Sequence, residues 1–250
     1  MHIPRPAKLL FQIDDGWGQL LAKHGNVVPE WTKLVVERML ACGTGAMGVR
    51  RYCCASAHCS HTKYICQTCK SKGCSACGMK ATEQWIAEQQ HILPDCEWHY
   101  LGRYLKRPPI AASKLRHYNG GAVVHHYYDH RTQQHRTQRL SQEEMLWRYI
   151  SHIPSRHFKM VRYYGFLANR KRGELLPKVY SALGIEMKAK PQKPGFASLM
   201  KKFTNVDPYR CVLCGSRMVF KSAEAGIRAE ELLARRRQEF KTERWLRQAA

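Results

Sequence analysis

Eight cysteines crowd into residues 42–77, and no other feature constrains the fold of this chain as tightly. They are Cys42, Cys53, Cys54, Cys59, Cys66, Cys69, Cys74 and Cys77. A short, Gly-rich stretch of this kind cannot bury enough apolar surface to fold alone, whereas thiolates gathered on a metal ion supply that free energy. Cys66-x-x-Cys69 and Cys74-x-x-Cys77 are close pairs, and a two-residue gap lets a tight turn aim both sulfurs at one ion. Gly73 and Gly78 help the backbone turn. Cys54 and Cys59 make a wider pair, with His58 and His61 beside it as alternative ligands. Tetrahedral zinc takes four such donors, so these residues hold one ion with spares, or two. The spacing favours Cys54, Cys59, Cys74 and Cys77 for one site. Cys66 and Cys69, with Cys42 as a further candidate, make the second. Such sites are structural, with no open position for catalysis, and an iron-sulfur cluster is the less favoured occupant. Cys211-x-x-Cys214 is half a site with no neighbouring pair, so it either borrows ligands from elsewhere or is a packed turn. Cys96 stands alone and reads as structural.

Metal is preferred to disulfides because the chain reads as cytoplasmic, where thiols stay reduced. No apolar run is long enough to span a bilayer, and no signal-peptide core follows Met-His-Ile-Pro-Arg-Pro at the start. Charge then selects the partner. Lys and Arg number 42 against 19 Asp and Glu, a formal net charge of +23. An excess that large repels itself and calls for a polyanion, of which nucleic acid is the natural one. Membrane-surface binding is disfavoured, since no basic amphipathic helix stands out as an anchor. A basic protein without an anionic partner is the plain alternative.

Along the chain, residues 1 to about 41 begin irregularly and then become helical, with Trp31, Leu34, Val35, Arg38 and Met39 on one face. A helix is expected over 80–91, stopped before Pro94. Asn119-Gly120-Gly121 predicts a turn, residues 122–128 a strand, and residues 131–139 a hairpin turn and returning strand. Ser141 and Glu144 have capping-box spacing and predict a helix to about His152. Another strand is expected over 158–164 and a helix within 169–183. A Lys- and Pro-bearing linker at 188–194 leads to the Cys211 knuckle and a charged helix from about Glu224, whose mixed signs suit a solvated face better than a DNA-binding arm. The fold class expected is α+β: a helical zinc-binding module at 1–98, a truncated sheet-and-helix domain at 99–187, and a linker, knuckle and charged helix at 188–250.

Tyr100 and Tyr104 lie four residues apart, which on a helix puts both hydroxyls on one face. A tyrosine can attack a phosphodiester and hold DNA covalently, and the nearby Arg103, Lys106 and Arg107 would stabilise the phosphate charge. Spacing alone favours ordinary packing for such a pair. The surrounding residues add more. The segment 66–85, continuing through Ile92-Leu-Pro-Asp-Cys-Glu-Trp98, resembles the N-terminal zinc-binding domain of rolling-circle insertion-sequence transposases. Tyr100-Leu-Gly-Arg-Tyr-Leu-Lys-Arg107 and the residues to Ser113, Tyr128-Asp-His-Arg131, and residues 157–170 resemble the later part of the same proteins. The Cys211–Cys214 knuckle also fits their C-terminal region.

The resemblance implies that Tyr100 and Tyr104 are the nucleophiles that cut single-stranded DNA at element ends. It also implies a His-hydrophobic-His motif upstream of them, holding the Mg2+ or Mn2+ that polarises the scissile phosphate. No two of the 13 histidines here are separated by one residue. Trp98 and Tyr100 are nearly adjacent, whereas in the family a long catalytic segment separates these blocks, so an internal deletion near His99 is expected. His125-His126 lies downstream of the tyrosines and lacks the alternate spacing that places two side chains on one strand face. The expected function is therefore a transposase-family, zinc-dependent DNA-binding protein with impaired strand cleavage. Its alternatives are a non-catalytic regulator that competes with full-length transposase, and an RNA-associated zinc protein.

Overall fold

The structure, a computed structural model, describes residues 6–93, 115–119, 121–159, 161–189, 201 and 205–238. Helix and sheet are mixed in it, as an α+β chain requires. Three helices open the chain: α1 (Pro6–Gln12), α2 (Gly16–His24) and α3 (Glu30–Ala41). Helix is present from Pro6, where Leu10, Phe11, Trp17 and Leu20 supply an apolar face to bury, and the irregular start expected before it lies outside the described residues. In α3 the buried stripe is Thr32, Val35, Val36, Met39 and Leu40, at spacings of three and four. Arg38 faces solvent instead of joining it.

Strands β1 (Gly48–Cys54) and β2 (Thr62–Cys66) follow as an antiparallel hairpin, with Tyr52 opposite Lys63. The third strand of this sheet comes from far along the chain. It is β6 (Met218–Ala225), which pairs with the other edge of β1, Cys54 opposite Met218 and Gly48 opposite Ala225. Gly48 is obligatory there: its φ is +88°, and a side chain would run into the Glu224 carbonyl. The charged helix expected from about Glu224 therefore begins later, at 229, because the open edge of β1 draws the preceding residues into a ladder.

Helix α4 (Ser75–Ile92) leaves the cysteine-rich segment and contains the helix expected over 80–91. A second antiparallel sheet is formed by β3 (Leu115–Asn119), β4 (Ala122–Asp129) and β5 (Gln134–Ser141), in the order β3-β4-β5. Both strands expected over 122–139 are present with a turn at 130–133 between them, and Asn119 pairs with Ala122, while Gly120 of the expected Asn119–Gly121 turn lies outside the described residues. Helix α5 (Gln142–Ser151) begins where the capping residues place it, with the Ser141 hydroxyl accepting the Glu144 N–H at 3.1 Å. The strand expected over 158–164 does not form among the described residues. Phe158 and Tyr164 are 61% and 73% exposed and meet no strand to pair with, and the segment runs into a single 3-10 turn at Gly165–Leu167. Helix α6 (Arg172–Ala182) completes that region.

One core joins segments far apart in sequence. Leu10, Phe11, Trp17, Leu20, Val36 and Met39 pack with Val123, Leu140, Leu146, Tyr149 and Ile150. Phe11 stacks edge-on to Tyr149, centroids 5.2 Å apart. The opening helices thus share their interior with the β4–β5–α5 unit. The last helix closes on them too: Arg236 meets Glu37 at 2.9 Å and Asp15 at 3.2 Å, and Arg237 meets Glu30 at 2.8 Å. Those contacts agree with a charged helix docked on its own chain. Tyr100, Tyr104, Arg103, Lys106 and Arg107 lie outside the described residues, as do Cys96 and the linker from 190 onward.

Candidate metal centres

Cys42 occupies the first position past α3, with its N–H turned back on the Met39 carbonyl. Cys69 follows β2 in a turn where Lys70 adopts φ 53°. Cys74 is the N-cap of α4, and Cys77 sits in that helix's first turn. A helix N-terminus favours anionic sulfur, because its unpaired N–H groups and dipole point outward. The four Sγ atoms all lie within 4.8 Å of one another. Separations are 3.6 Å for Cys42–Cys77, 3.7 Å for Cys69–Cys77 and 3.9 Å for Cys42–Cys74. A tetrahedron with Zn–S bonds of about 2.3 Å places its sulfurs about 3.8 Å apart, so the cage has the size zinc needs.

Backbone donors complete this cage. The Cys69 N–H points at Cys42 Sγ (3.3 Å) and the Ser71 N–H at Cys69 Sγ (3.4 Å), contacts that stabilise thiolates. Contacts from Cys69, Cys74 and Cys77 hold the Cys42 thiol far below its ordinary range, and the contact with Cys42 pushes Cys69 far above it. Four sulfurs this close cannot all ionise by themselves; a divalent cation at the centre removes the conflict. The loop is tied to the core by Tyr149, whose buried hydroxyl donates to the Gly73 carbonyl between Cys69 and Cys74. Burial raises the pKa of that hydroxyl and keeps it a donor.

A second cage forms where the β1–β6 ladder ends. Cys54 is the last residue of β1, Cys59 lies on the loop beyond it, and Cys211 and Cys214 sit on the turn before β6. Their Sγ atoms also lie within 4.8 Å of one another, with Cys54–Cys214 at 3.4 Å and Cys59–Cys211 at 3.8 Å. The ladder continues as Ala55 N–H to Arg217 O, which fixes one half of the cage against the other. Gly215, at φ 74°, closes the knuckle with its N–H on the Cys211 carbonyl. Hydrogen bonds from Ser216 lower Cys214 to about 6. His61 Nδ1 stands 3.1 Å from Cys211 Sγ, beside the cage.

The grouping differs from the one the spacing favoured. Cys54 and Cys59 meet Cys211 and Cys214, while Cys74 and Cys77 meet Cys42 and Cys69. Cys66 enters neither group; it ends β2 opposite Val49. Strand geometry explains this, since the β1–β2 hairpin carries Cys54 and Cys66 to opposite ends of the ladder. The structure brings Cys211 and Cys214 to Cys54 and Cys59, the arrangement that a borrowed-ligand site requires. Half of the signal was present in the sequence: 211/214 is half a site without a local pair, whereas 54/59 has several nearby cysteines to choose from. Among the described residues no helix is long and apolar enough to cross a membrane.

Comparison with known proteins adds what geometry cannot. A family model described as "Transposase zinc-binding domain" matches residues 12–101, and one described as "Putative transposase" matches residues 60–174. The chain is 30% identical to the "Transposase for insertion sequence element IS801" of Pseudomonas savastanoi pv. phaseolicola, over 92% of this chain and 93% of the relative. This chain belongs to the rolling-circle insertion-sequence transposases. The "Putative transposase y4qJ" of Sinorhizobium fredii is 32% identical over 42% of this chain and 27% of its own length. No solved structure gives a significant match. The first transposase alignment runs over 382 positions, whereas this chain has 250 residues. At least 132 positions of that transposase alignment therefore have no counterpart here. The matched zinc-binding domain holds all of the first cage, but Cys211 and Cys214 lie beyond both matched segments.

Proposed function

We propose that this transposase-family chain binds DNA, including the single-stranded ends of its element, and that it has lost most of the family's strand-cleaving chemistry. The length mismatch carries this reading: the alignment reaches nearly end to end on a relative, yet at least 132 positions are missing, and no His-x-His remains to hold Mg2+ or Mn2+. Two zinc ions, one held by Cys42, Cys69, Cys74 and Cys77 and one by Cys54, Cys59, Cys211 and Cys214, would act as structural pins. With four sulfurs each, they leave no open position to activate water. The family role of Tyr100 and Tyr104 is attack on phosphorus, with Arg103, Lys106 and Arg107 offsetting phosphate charge. Without the divalent ion beside the phosphate, that attack lacks its main electrostatic stabilisation. The net charge of +23 supports retained DNA binding. A chain that keeps the ends of a transposase but not its middle is suited to occupy element ends against the intact enzyme in the cytoplasm.

The test uses purified protein, single-stranded DNA from a candidate element end, and Mg2+ or Mn2+. Binding without a denaturation-resistant DNA–protein adduct is the expected outcome. An adduct abolished by Tyr100→Phe with Tyr104→Phe would overturn the impairment and establish a working transposase.

A further inference from the structure

The histidine-rich hairpin left unused by the readings above has a distinct surface. Side chains alternate across a strand, so β4 and β5 present two faces. Val123 and the opposing Leu140 are buried and mark the core side. The opposite face carries the cross-strand pairs Val124–Arg139, His126–Thr137 and Tyr128–His135. His135, Thr137, Arg139 and Tyr128 are exposed along it. At the hairpin end, the Tyr128 ring contacts both His130 and His135, each at 5.1 Å between centroids. The one acidic residue of the two strands, Asp129, is on the core side, where it meets Arg136 at 3.4 Å. Arg131 and Arg139 make no ion pair among the described residues. Eight residues per strand at about 3.3 Å each give a ribbon about 26 Å long.

We propose that this outward face is a platform for single-stranded DNA, with bases stacking on the Tyr128–His130–His135 cluster and phosphates meeting Arg131 and Arg139. The inference rests on the DNA-binding reading above and assigns it a surface. Exposed aromatic rings flanked by cations suit unpaired bases, because every base offers a π-face and every linkage a negative charge, and the nearest carboxylate, Asp129, is engaged by the Arg131 N–H at 2.9 Å and by Arg136. Paired bases in a duplex offer no such face, and a flat ribbon edge with histidines reads no particular sequence.

The experiment measures fluorescence anisotropy of labelled oligothymidylate with the full zinc-loaded chain at several salt concentrations. Tyr128→Ala is expected to weaken binding about five-fold or more, the loss of one base–aromatic stack, and Tyr128→Phe to restore it. Arg131→Gln with Arg139→Gln is expected to lower the salt slope by about 1.4, two phosphate contacts on a single strand. Arg170→Gln with Lys171→Gln, which removes equal charge elsewhere, is expected to leave that slope unchanged. If wild type binds and the ribbon variants bind equally well, the platform is wrong while DNA binding stands. If wild type does not bind oligothymidylate, both readings fall. Losses seen with duplex or structured RNA but not with oligothymidylate also overturn the platform.

Discussion

Cys42 shows how much one residue can contribute when its position is fixed by its neighbours. It follows the last turn of α3 directly, so the packing of Val36, Met39 and Leu40 sets where its sulfur stands. Cys66 has the same chemistry and none of that placement. On the proposed assignment the native chain carries two zinc ions. Cys42→Ser is expected to reduce this to one and Cys66→Ser to leave two, read by native mass spectrometry. Two ions in Cys42→Ser would refute the first cage. Spacing alone could not separate these residues, because a Cys-x-x-Cys pattern says that two sulfurs are close and not which other two they meet. Strand register decided that, and register depends on β6, whose residues lie 164 to 177 positions from their partners on β1.

At the scale of elements, the most legible were those with local signals. Ser141 and Glu144 announced α5, and Asn119 to Gly121 announced the hairpin, because capping and turn chemistry operate within four residues. Ser141→Ala removes the acceptor for the Glu144 N–H. A loss of about 1 kcal/mol is expected. It should appear as a lower thermal midpoint with both metal ions retained, and an unchanged midpoint would count against the cap. Strand β6 was invisible for the opposite reason. Its sequence, Met-Val-Phe-Lys-Ser-Ala-Glu-Ala, alternates poorly, with only Met218 buried, and it is a strand because β1 offers an unpaired edge. The expected strand over 158–164 pairs with no strand among the described residues, although both sheets keep unpaired edges. For β6 the partner, and not the segment, made the difference.

The whole molecule is held by long-range closures. The last helix returns to α3, and Arg236 meets Glu37, a carboxylate only 5% exposed that also accepts from the Trp17 indole at 2.9 Å. Arg236→Ala leaves that buried charge with less compensation. Destabilisation on the order of 1–3 kcal/mol is expected in chemical denaturation, and Arg236→Lys should recover part of it. Removing residues 188–250 is expected to abolish one zinc ion and leave the other, since only the second cage draws on that segment. The same asymmetry has a meaning in time. A chain leaving the ribosome has every sulfur of the first cage once Cys77 emerges, but 137 residues then separate it from Cys214. At 5–20 residues per second, about 7 to 27 seconds pass between completion of the first set of sulfurs and completion of the second. For that interval Cys54 and Cys59 wait as a bare dithiol beside an open strand, so on the proposed assignment the second ion can be taken up only after synthesis has passed Cys214.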